Sequence, residues 1–228
     1  MHIETIPVKI GGDPFFTTNC YLVSATPESD CVIVIDPGDE PELILEHIGS
    51  RSPAAILLTH GHFDHIGGVA GLAEATGAPS HVQEKDAYWI EEHFDEIRNG
   101  YANFAQRMNA RKKDAQAPVL SEEVPRIDYA LLGGNTVEFC GLSFLVLPTP
   151  GHTPGSICLY NAEDGILFSG DTLFKGTCGR TDFMGGDPAS MHDSLALLAK
   201  LPPETVVYPG HDATTTIGAE INRGLSEY

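Results

Sequence analysis

The stretch Thr59-His60-Gly61-His62-Phe63-Asp64-His65 places three histidines and one aspartate within six residues. The apolar run at 54–58 precedes it and is typical of a buried strand, while the residues from Ile66 onward are typical of the start of a helix. The polar side chains would then occupy a turn at the carboxyl end of a strand, where open α/β sheets commonly carry their sites. Imidazole and carboxylate are ligands for zinc, iron and manganese, whereas calcium and magnesium select oxygen ligands. The stretch therefore predicts a transition-metal site.

The spacing inside this stretch predicts two directions for its ligands. In extended backbone His60 and His62 point to the same side, because side chains alternate with a period of two. Asp64 and His65 enter the predicted helix, and we expect them to point elsewhere, toward a second ion.

Three later stretches repeat one pattern, an apolar strand followed by glycine and then a metal-binding residue type. His152 follows the strand-like run 142–147 in a loop that three prolines stiffen, Asp171 follows 166–170, and His211 follows 205–210. Each residue alone has an ordinary interpretation, as a capping aspartate or a core histidine. Four such strand-end loops in one chain favour a single shared site.

This set of residues resembles the metallo-β-lactamase superfamily over nearly the whole chain. The resemblance implies an α/β (α+β) fold, a four-layer αββα sandwich formed by residues 1–228 as a single domain, with the site at one edge of two sheets. It implies two divalent transition-metal ions, with zinc expected first and iron or manganese as alternatives. The implied ligands are His60, His62 and His152 for one ion, Asp64, His65 and His211 for the other, and Asp171 as a bridge between them.

Within the superfamily, Asp171 and the Thr-Pro-Gly-His-Thr-Pro-Gly run at 149–155 resemble short glyoxalase II-like hydrolases. The resemblance implies hydrolysis of a small-molecule thioester or related acyl compound by a hydroxide that bridges the two ions. Asp64 and Asp171 are then the catalytic residues. Asp64 is expected to act as a ligand alone, with proton acceptance in addition as the alternative. Cys178-Gly179-Arg180 matches a glyoxalase II segment, so Arg180 is the candidate contact for a substrate carboxylate.

The resemblance leaves alternatives open. Seventeen residues follow His211, so we expect no C-terminal helical domain, and Asp212-Ala213 stands where the family places a tyrosine. The segment 178–183 also resembles persulfide dioxygenases, in which His60, His152 and Asp171 would hold one iron. The tail at 214–218 resembles the short hydrolases and favours hydrolysis. A non-catalytic metal-binding module is a second alternative, and β-lactam hydrolysis is disfavoured by Asp171, where those enzymes usually have another residue.

The composition and the N-terminus limit which binding partners and which cellular compartment are expected. Thirteen Lys and Arg against 32 Asp and Glu leave a formal net charge of −19, which repels phosphate backbones and anionic membranes. We therefore expect no nucleic-acid or membrane partner, and a monomer or homodimer. The N-terminus lacks the regions of a signal peptide, which predicts a cytoplasmic protein. Five cysteines, an odd count with no Cys-x-x-Cys pair, predict reduced thiols.

A helical segment at about 84–117 interrupts the alternation of strands and helices. Its apolar stripe has gaps of three and four residues and an interruption at 98–100, which predicts two helices or one kinked helix; the stripe comprises Ile90, Phe94, Ile97, Tyr101, Phe104 and Met108. We expect it to pack on the body of the domain, with a lid or dimer surface as the alternative.

Several polar residues outside the ligand set have a surface or turn interpretation. Four basic residues at 107–113 would complement a helix C-terminus, or else dock an anionic substrate tail. Asp36, before Pro-Gly, is interpreted as a turn cap, with support of the metal loop as the alternative. His47 and His93 are interpreted as surface residues.

Overall fold

The structure, a computed structural model, describes residues 1–110 and 118–225. Its first sheet has six strands whose spatial order follows the chain: β1 (His2–Lys9), β2 (Thr17–Ser24), β3 (Cys31–Ile35), β4 (Ser52–Leu57), β5 (Ser80–Gln83) and β6 (Tyr129–Leu131). Strands β1 to β3 are antiparallel and β3 to β6 are parallel. Parallel strands end at the same edge of the sheet, so the loops after β3 and β4 are neighbours.

The second sheet begins with an antiparallel meander of β7 (Thr136–Phe139), β8 (Leu142–Pro148), β9 (Ile157–Asn161) and β10 (Ile166–Gly170). A small hairpin of β11 (Leu173–Phe174) and β12 (Thr177–Cys178) follows. The sheet is completed by β13 (Val206–Pro209), parallel to β10, and β14 (Thr215–Thr216). The strand ends that precede Asp171 and His211 therefore lie side by side.

In the part of the chain that the structure describes, six α-helices lie between or after these strands: α1 (Pro41–Ile48), α2 (Phe63–Ile66), α3 (Val69–Thr76), α4 (Glu84–Asn109), α5 (Pro188–Leu198) and α6 (Ile217–Ile221). None of the helices in residues 1–110 and 118–225 combines the length and apolar character that a membrane crossing requires.

Three apolar clusters explain the four layers. Alternation along β2 sends Tyr21 and Val23 into a core between the two sheets, where they meet Phe144 and Phe168 of the second sheet. Leu22, one residue away from both, faces outward into a cluster that α1, α3 and α4 cover. The outer face of the second sheet packs on α5 and α6. The predicted αββα sandwich is confirmed.

The helical segment differs from its prediction in one respect. A single helix, α4, runs through 98–100 without interruption, and its non-helical backbone lies at His93 (φ −129°, ψ 19°). The predicted site of the break was wrong because Ile97 is buried in the core and Tyr101 packs against it, so packing holds the helix together across the weak helix formers between them. The basic residues at 111–113 lie outside the described residues.

The prediction that all five cysteines are reduced was wrong. Cys31, at the start of β3, forms a disulfide with Cys140 in the turn between β7 and β8, while Cys20, Cys158 and Cys178 are free. The partners are 109 residues apart in sequence, so no local spacing indicated the pair. They meet because the two sheets stack, and the bond joins those sheets covalently.

Replacing both cysteines by serine should lower the free energy of unfolding by about 2–4 kcal/mol, because the unfolded chain would no longer be closed into a long loop. Denaturant unfolding of wild type and of Cys31→Ser/Cys140→Ser would measure the difference. Reductant should lower the wild-type midpoint and leave that of the double variant unchanged. Equal midpoints for oxidised wild type and the double variant would contradict a stabilising role for the bond.

Candidate metal centre

All seven residues that the sequence singled out lie at one edge of the sandwich, just beyond the ends of strands. Strands β4, β10 and β13 each have a parallel neighbour: β4 pairs with β3, and β10 pairs with β13. Parallel neighbours end at the same edge of a sheet, so the loops that follow them lie close together. His60 and His62 lie in the loop after β4, and Asp64 and His65 lie in helix α2. His152, Asp171 and His211 lie in the loops after β8, β10 and β13, respectively. Residues from both sheets therefore converge on one place.

Three histidines form the first group. One ligand atom from each of His60, His62 and His152 lies within 4.8 Å of the other two. The ring centroids are 4.4–4.9 Å apart, and the planes are nearly perpendicular. Nδ1 of His62 lies 2.7 Å from Nε2 of His152, so these two nitrogens face the same small volume.

Asp64, His65 and His211 form the second group, with ligand atoms again within 4.8 Å of one another. Asp171 lies between the groups. Its Oδ1 is 3.3 Å from Nε2 of His65, while its Oδ2 is 3.4 Å from Nε2 of His152 and 3.3 Å from Nε2 of His211. One carboxylate therefore contacts both groups of histidines.

Three buried atoms at the centre test whether metal ions suit this arrangement. Nε2 of His60, Nε2 of His65 and Oδ1 of Asp171 have no hydrogen-bond partner among the described residues. Buried polar atoms are normally paired, and these three belong to residues whose ligand atoms lie within 4.8 Å of one another. Imidazole nitrogens and a carboxylate oxygen with free lone pairs are the donor set of divalent transition metals, so the residues fit such ions.

The other ring nitrogen of four histidines is held by an oxygen outside the cluster. Nδ1 of His152 donates to the carbonyl of Arg180 (2.7 Å), and Nδ1 of His211 donates to the carbonyl of Thr17 (2.8 Å). Nδ1 of His60 lies 3.1 Å from Oγ1 of Thr59, and Nδ1 of His65 lies 2.9 Å from Oδ2 of Asp36. Such partners fix the ring orientation and aim Nε2 at the centre.

Asp36 supports the metal loop and does not cap its own turn, so the capping interpretation was wrong. Its Oδ1 accepts from the backbone N–H of Thr59 (2.8 Å), and its Oδ2 accepts from the hydroxyl of the same residue (2.6 Å) as well as facing His65. Asp36 follows β3 and Thr59 follows β4, which are parallel neighbours. This register was not visible in the local sequence, where Asp-Pro-Gly is typical of a turn.

The sequence model of the metallo-β-lactamase superfamily matches residues 13–211. The chain belongs to that superfamily. Hydroxyacylglutathione hydrolase of Ectopseudomonas mendocina is 35% identical over 209 residues, which cover 91% of this chain and 66% of the relative. The chain thus spans about two thirds of the length of that hydrolase.

Three solved structures are similar over almost the whole chain. BLEG-1, a B3 metallo-β-lactamase, has a TM-score of 0.78 and 31% identity, with 97% of each chain covered. TTHA1623 in a di-iron-bound form has a TM-score of 0.73 and 38% identity, covering 96% of this chain and 98% of its own. ETHE1 from Myxococcus xanthus has a TM-score of 0.70 and 25% identity, covering 100% and 85%. The superfamily fold binds divalent metals, which agrees with the donor set of this site.

Asp86 is a buried residue that the sequence interpretation missed. From the first turn of α4 it accepts hydrogen bonds from the N–H of Gly61 (2.8 Å), the N–H of Gly155 (2.6 Å) and the hydroxyl of Thr153 (2.6 Å). It thereby ties the loop of His60 and His62 to the loop of His152. A Cβ on Gly155 would lie 2.5 Å from the Asp86 carboxylate, so glycine permits the approach. In the sequence, an acid in a first helical turn is ordinary and carries no signal.

The two groups of histidines differ in the direction of their pKa shifts. Burial lowers the pKa of His60 and His152 and lowers that of His62 to about 3. Burial also disfavours protonated His65, but the Asp171 and Asp36 carboxylates outweigh it and raise its pKa to about 10. Likewise, Asp171 and Asp64 raise the pKa of His211 well above its usual value despite burial. Protons therefore collect on the second group of histidines.

The two carboxylates show the opposite shift. Burial alone would raise the pKa of Asp64 and Asp171, but His211 and His65 outweigh it and lower both. Both side chains are therefore ionised and available as ligands at neutral pH. A carboxylate with a lowered pKa is a weak base, which favours ligation over proton transfer for Asp64.

A cavity of about 500 Å³ opens beside the cluster. Ile90, Phe94 and Ile97 of α4 pack in the core, as the sequence predicted, and Ile97, Tyr101 and Phe104 also line this cavity. Other lining residues include Phe63, Trp89, Phe174, Phe183, Arg107 and Arg180. The described part of α4 is therefore both a packing element and a cavity wall.

Arg180 lies in the cavity lining, as its predicted substrate role requires, but its charge already has a partner. Its guanidinium donates two hydrogen bonds of 2.7 Å to Asp182 and lies 3.9 Å from the ring centroid of Phe183. His47 and His93 lie away from the cluster, where they contact Glu4 and Glu96, in agreement with their surface interpretation.

Asp86→Asn should weaken metal binding by about 10-fold, as the loss of supporting hydrogen bonds commonly does, because an amide group must face a donor in this site. Metal titration of the purified variant would measure the change. Glu220→Gln is a control, since Glu220 is also buried and accepts from the backbone N–H of Gly176 and the hydroxyl of Thr215, and in addition pairs with Arg223. Equal metal affinities for both variants would contradict a positioning role for Asp86.

Metal binding should release protons mainly from the second group, because His65 and His211 have raised pKa values and must be neutral to act as ligands. Calorimetric titration of metal-free protein with Zn²⁺ at pH 7.5, in buffers of different ionisation enthalpy, should give about two protons per protein. As pH falls, the affinity for the ion at Asp64, His65 and His211 should decline before the affinity for the ion at His60, His62 and His152, because protons compete more strongly for histidines of raised pKa. Binding without proton release would show that these histidines are neutral beforehand.

Proposed function

We propose that this protein is a metal-dependent hydrolase of glyoxalase II type that cleaves a small-molecule thioester. The observation that carries the proposal is the Asp171 carboxylate, which contacts both the His152 side and the His65 and His211 side of the cluster. Such a carboxylate suits a ligand shared by two ions. The similarity to a hydroxyacylglutathione hydrolase supports the choice of a thioester.

The proposed ions are two divalent transition metals, zinc first and iron or manganese as alternatives, with His60, His62 and His152 around one, Asp64, His65 and His211 around the other, and Asp171 shared. Ions held there would act as Lewis acids and lower the pKa of water toward about 7. The outer partners, Asp36 and the carbonyls of Arg180 and Thr17, keep the rings aimed at the centre.

Thioester hydrolysis requires little general-acid catalysis from the protein. The oxygen of water bonds to the thioester carbonyl carbon, the carbon–sulfur bond breaks, and the thiolate leaves with the electron pair. Because a thiolate is a stable leaving group, no strong general acid is required. Asp64, whose Oδ2 is 3.4 Å from Nε2 of His211, is proposed as a ligand, since its lowered pKa makes it a weak base. The protons of the attacking water pass to solvent and to the departing thiolate.

The cavity beside the cluster would bind the apolar part of the substrate and exclude water from it. Phe183 lies 5.9 Å from the His62 ring and Trp89 lies 5.6 Å from it, both as centroid distances. An aromatic wall therefore reaches directly to the metal-binding residues, which suits an acyl or thiol group placed against the scissile bond.

Removal of metal should abolish thioester hydrolysis. Asp171→Ala and His62→Ala should each reduce turnover by at least about 100-fold, because each removes a proposed ligand of the activating ions. Hydrolysis of a thioester panel that includes an acyl-glutathione would be followed spectroscopically, with circular dichroism to verify folding. His47→Ala, a surface histidine that contacts Glu4, should retain wild-type activity.

Full activity of a metal-free preparation would contradict the proposal. Elemental analysis of protein purified without added metal would identify the ions.

One alternative is oxidation of a persulfide by a single iron held by His60, His152 and Asp171. The similarity to ETHE1 and to a di-iron-bound protein fits this alternative. Oxygen uptake with glutathione persulfide, measured beside thioester hydrolysis in the same preparation, would distinguish the two. A β-lactam belongs in the same panel because of the similarity to BLEG-1. Tight metal binding without any turnover would favour a non-catalytic module.

A further inference from the structure

Helix α4 presents a continuous stripe to the cavity. Ile97, Tyr101, Phe104 and Arg107 follow one another at steps of four, three and three residues, so they lie on one face. Tyr101 packs beside Phe63, with ring centroids 5.9 Å apart, and Phe63 immediately precedes the metal-ligand candidate Asp64. Six residues of helix rise about 9 Å, so Arg107 lies about that far from Tyr101 along the helix axis.

Aromatic rings connect the metal cluster to the same end of the stripe. The ring of His62 is 5.9 Å from that of Phe183, and Phe183 is 5.6 Å from Phe104, as centroid distances. Phe104 is one helical turn before Arg107. Aromatic rings therefore lie between the cluster and Arg107, while the lining of the same cavity also includes Glu96 and Asp212.

Two guanidinium groups line the cavity, and they differ in their partners. Arg180 is bound by Asp182 through two hydrogen bonds, so its charge is compensated. Nε of Arg107 donates to the carbonyl of Asn103 (3.2 Å), and Arg107 forms no ion pair with any residue in 1–110 or 118–225. In a chain of net charge −19, a cation at a cavity wall without a carboxylate partner is suited to an anion from outside.

We propose that Arg107 binds a terminal carboxylate of the substrate, and that the substrate class is a thioester with an apolar body between the scissile carbonyl and that carboxylate. This rests on the proposed thioester hydrolysis. The aromatic wall of Phe183 and Phe104 holds the body. Arg180 packs against the body, because Asp182 compensates its charge through Nε and Nη2.

Matched thioester pairs would test the proposal. Within each pair one compound ends in a carboxylate and the other in the corresponding carboxamide; the group ends the acyl half in one pair and the thiol half in the other. Arg107→Gln should lower kcat/KM about 10-fold for the carboxylate compound, through KM, and leave the carboxamide compound nearly unchanged. The pair that responds identifies the half of the substrate that reaches Arg107.

Three further variants sharpen this comparison. Arg107→Lys, which keeps the charge, should recover part of the loss. Arg180→Gln should affect both members of a pair equally. Arg126→Gln, at an exposed arginine that pairs with Asp128 away from the cavity, should change neither. Equal effects of Arg107→Gln on the carboxylate and the carboxamide in both pairs would overturn the proposal.

Binding can be measured without turnover, because Trp89, the single tryptophan of the chain, lines the cavity. Quenching of its fluorescence by non-hydrolysable thioether analogues should show tighter binding of the carboxylate form to wild type, and no such preference in Arg107→Gln. Equal binding of both forms to wild type would overturn the Arg107 proposal. Preferential binding without hydrolysis of either thioester would support the anion site while contradicting thioester hydrolysis.

Discussion

The constraint on which the site depends is the burial of two carboxylates among five imidazoles. Asp171 and Asp64 are ionised inside the protein, and burial of a charge is costly unless an opposite charge lies beside it. The histidines His65 and His211 provide that charge by retaining protons, whereas His60, His62 and His152 are kept neutral by burial. The cluster is therefore arranged for cations, and a divalent ion replaces protons that the carboxylates already attract.

Close packing between loops keeps this charged group in place. A Cβ on Gly210 would lie 2.3 Å from Oδ1 of Asp171, and one on Gly170 would lie 2.3 Å from the hydroxyl of Thr59. Glycine therefore lets the loops after β10 and β13 approach the centre to hydrogen-bonding distance. Asp36 and Asp86 then fix the loops from outside the cluster, one through Thr59 and His65 and the other through Gly61, Thr153 and Gly155. Four chain segments that are remote in sequence are thus joined by two carboxylates.

The sequence could predict what repeats locally. Apolar strands that end just before a ligand residue type occur at His60, His152, Asp171 and His211, with glycine before the last three, so the gathering of those residues could be anticipated. The sandwich could be anticipated only from the resemblance of this residue set to the superfamily. The roles of Asp36 and Asp86 could not, because each looks like ordinary turn or helix chemistry, and its partners are 23 to 69 residues away.

The disulfide and the shape of α4 depend on the same long-range packing. Cys31 and Cys140 meet only when one sheet lies on the other, and no spacing rule applies across 109 residues. Helix α4 continues through Gly100 because the core holds Ile97 and Tyr101 on either side of it. Propensity indicated a break there, and burial of the apolar face outweighed that preference.

Helix α4 connects recognition to chemistry because one element serves both. Its first turn carries Asp86, which holds the loops of His62 and His152, and three residues later Trp89 lies against the His62 ring. Its later turns form the cavity wall as far as Arg107. The proposed substrate, packed along Phe104 and Tyr101, would therefore contact the helix whose first turn holds the loops of the clustered histidines. Substitutions in this helix can change the substrate range while the seven clustered residues stay the same.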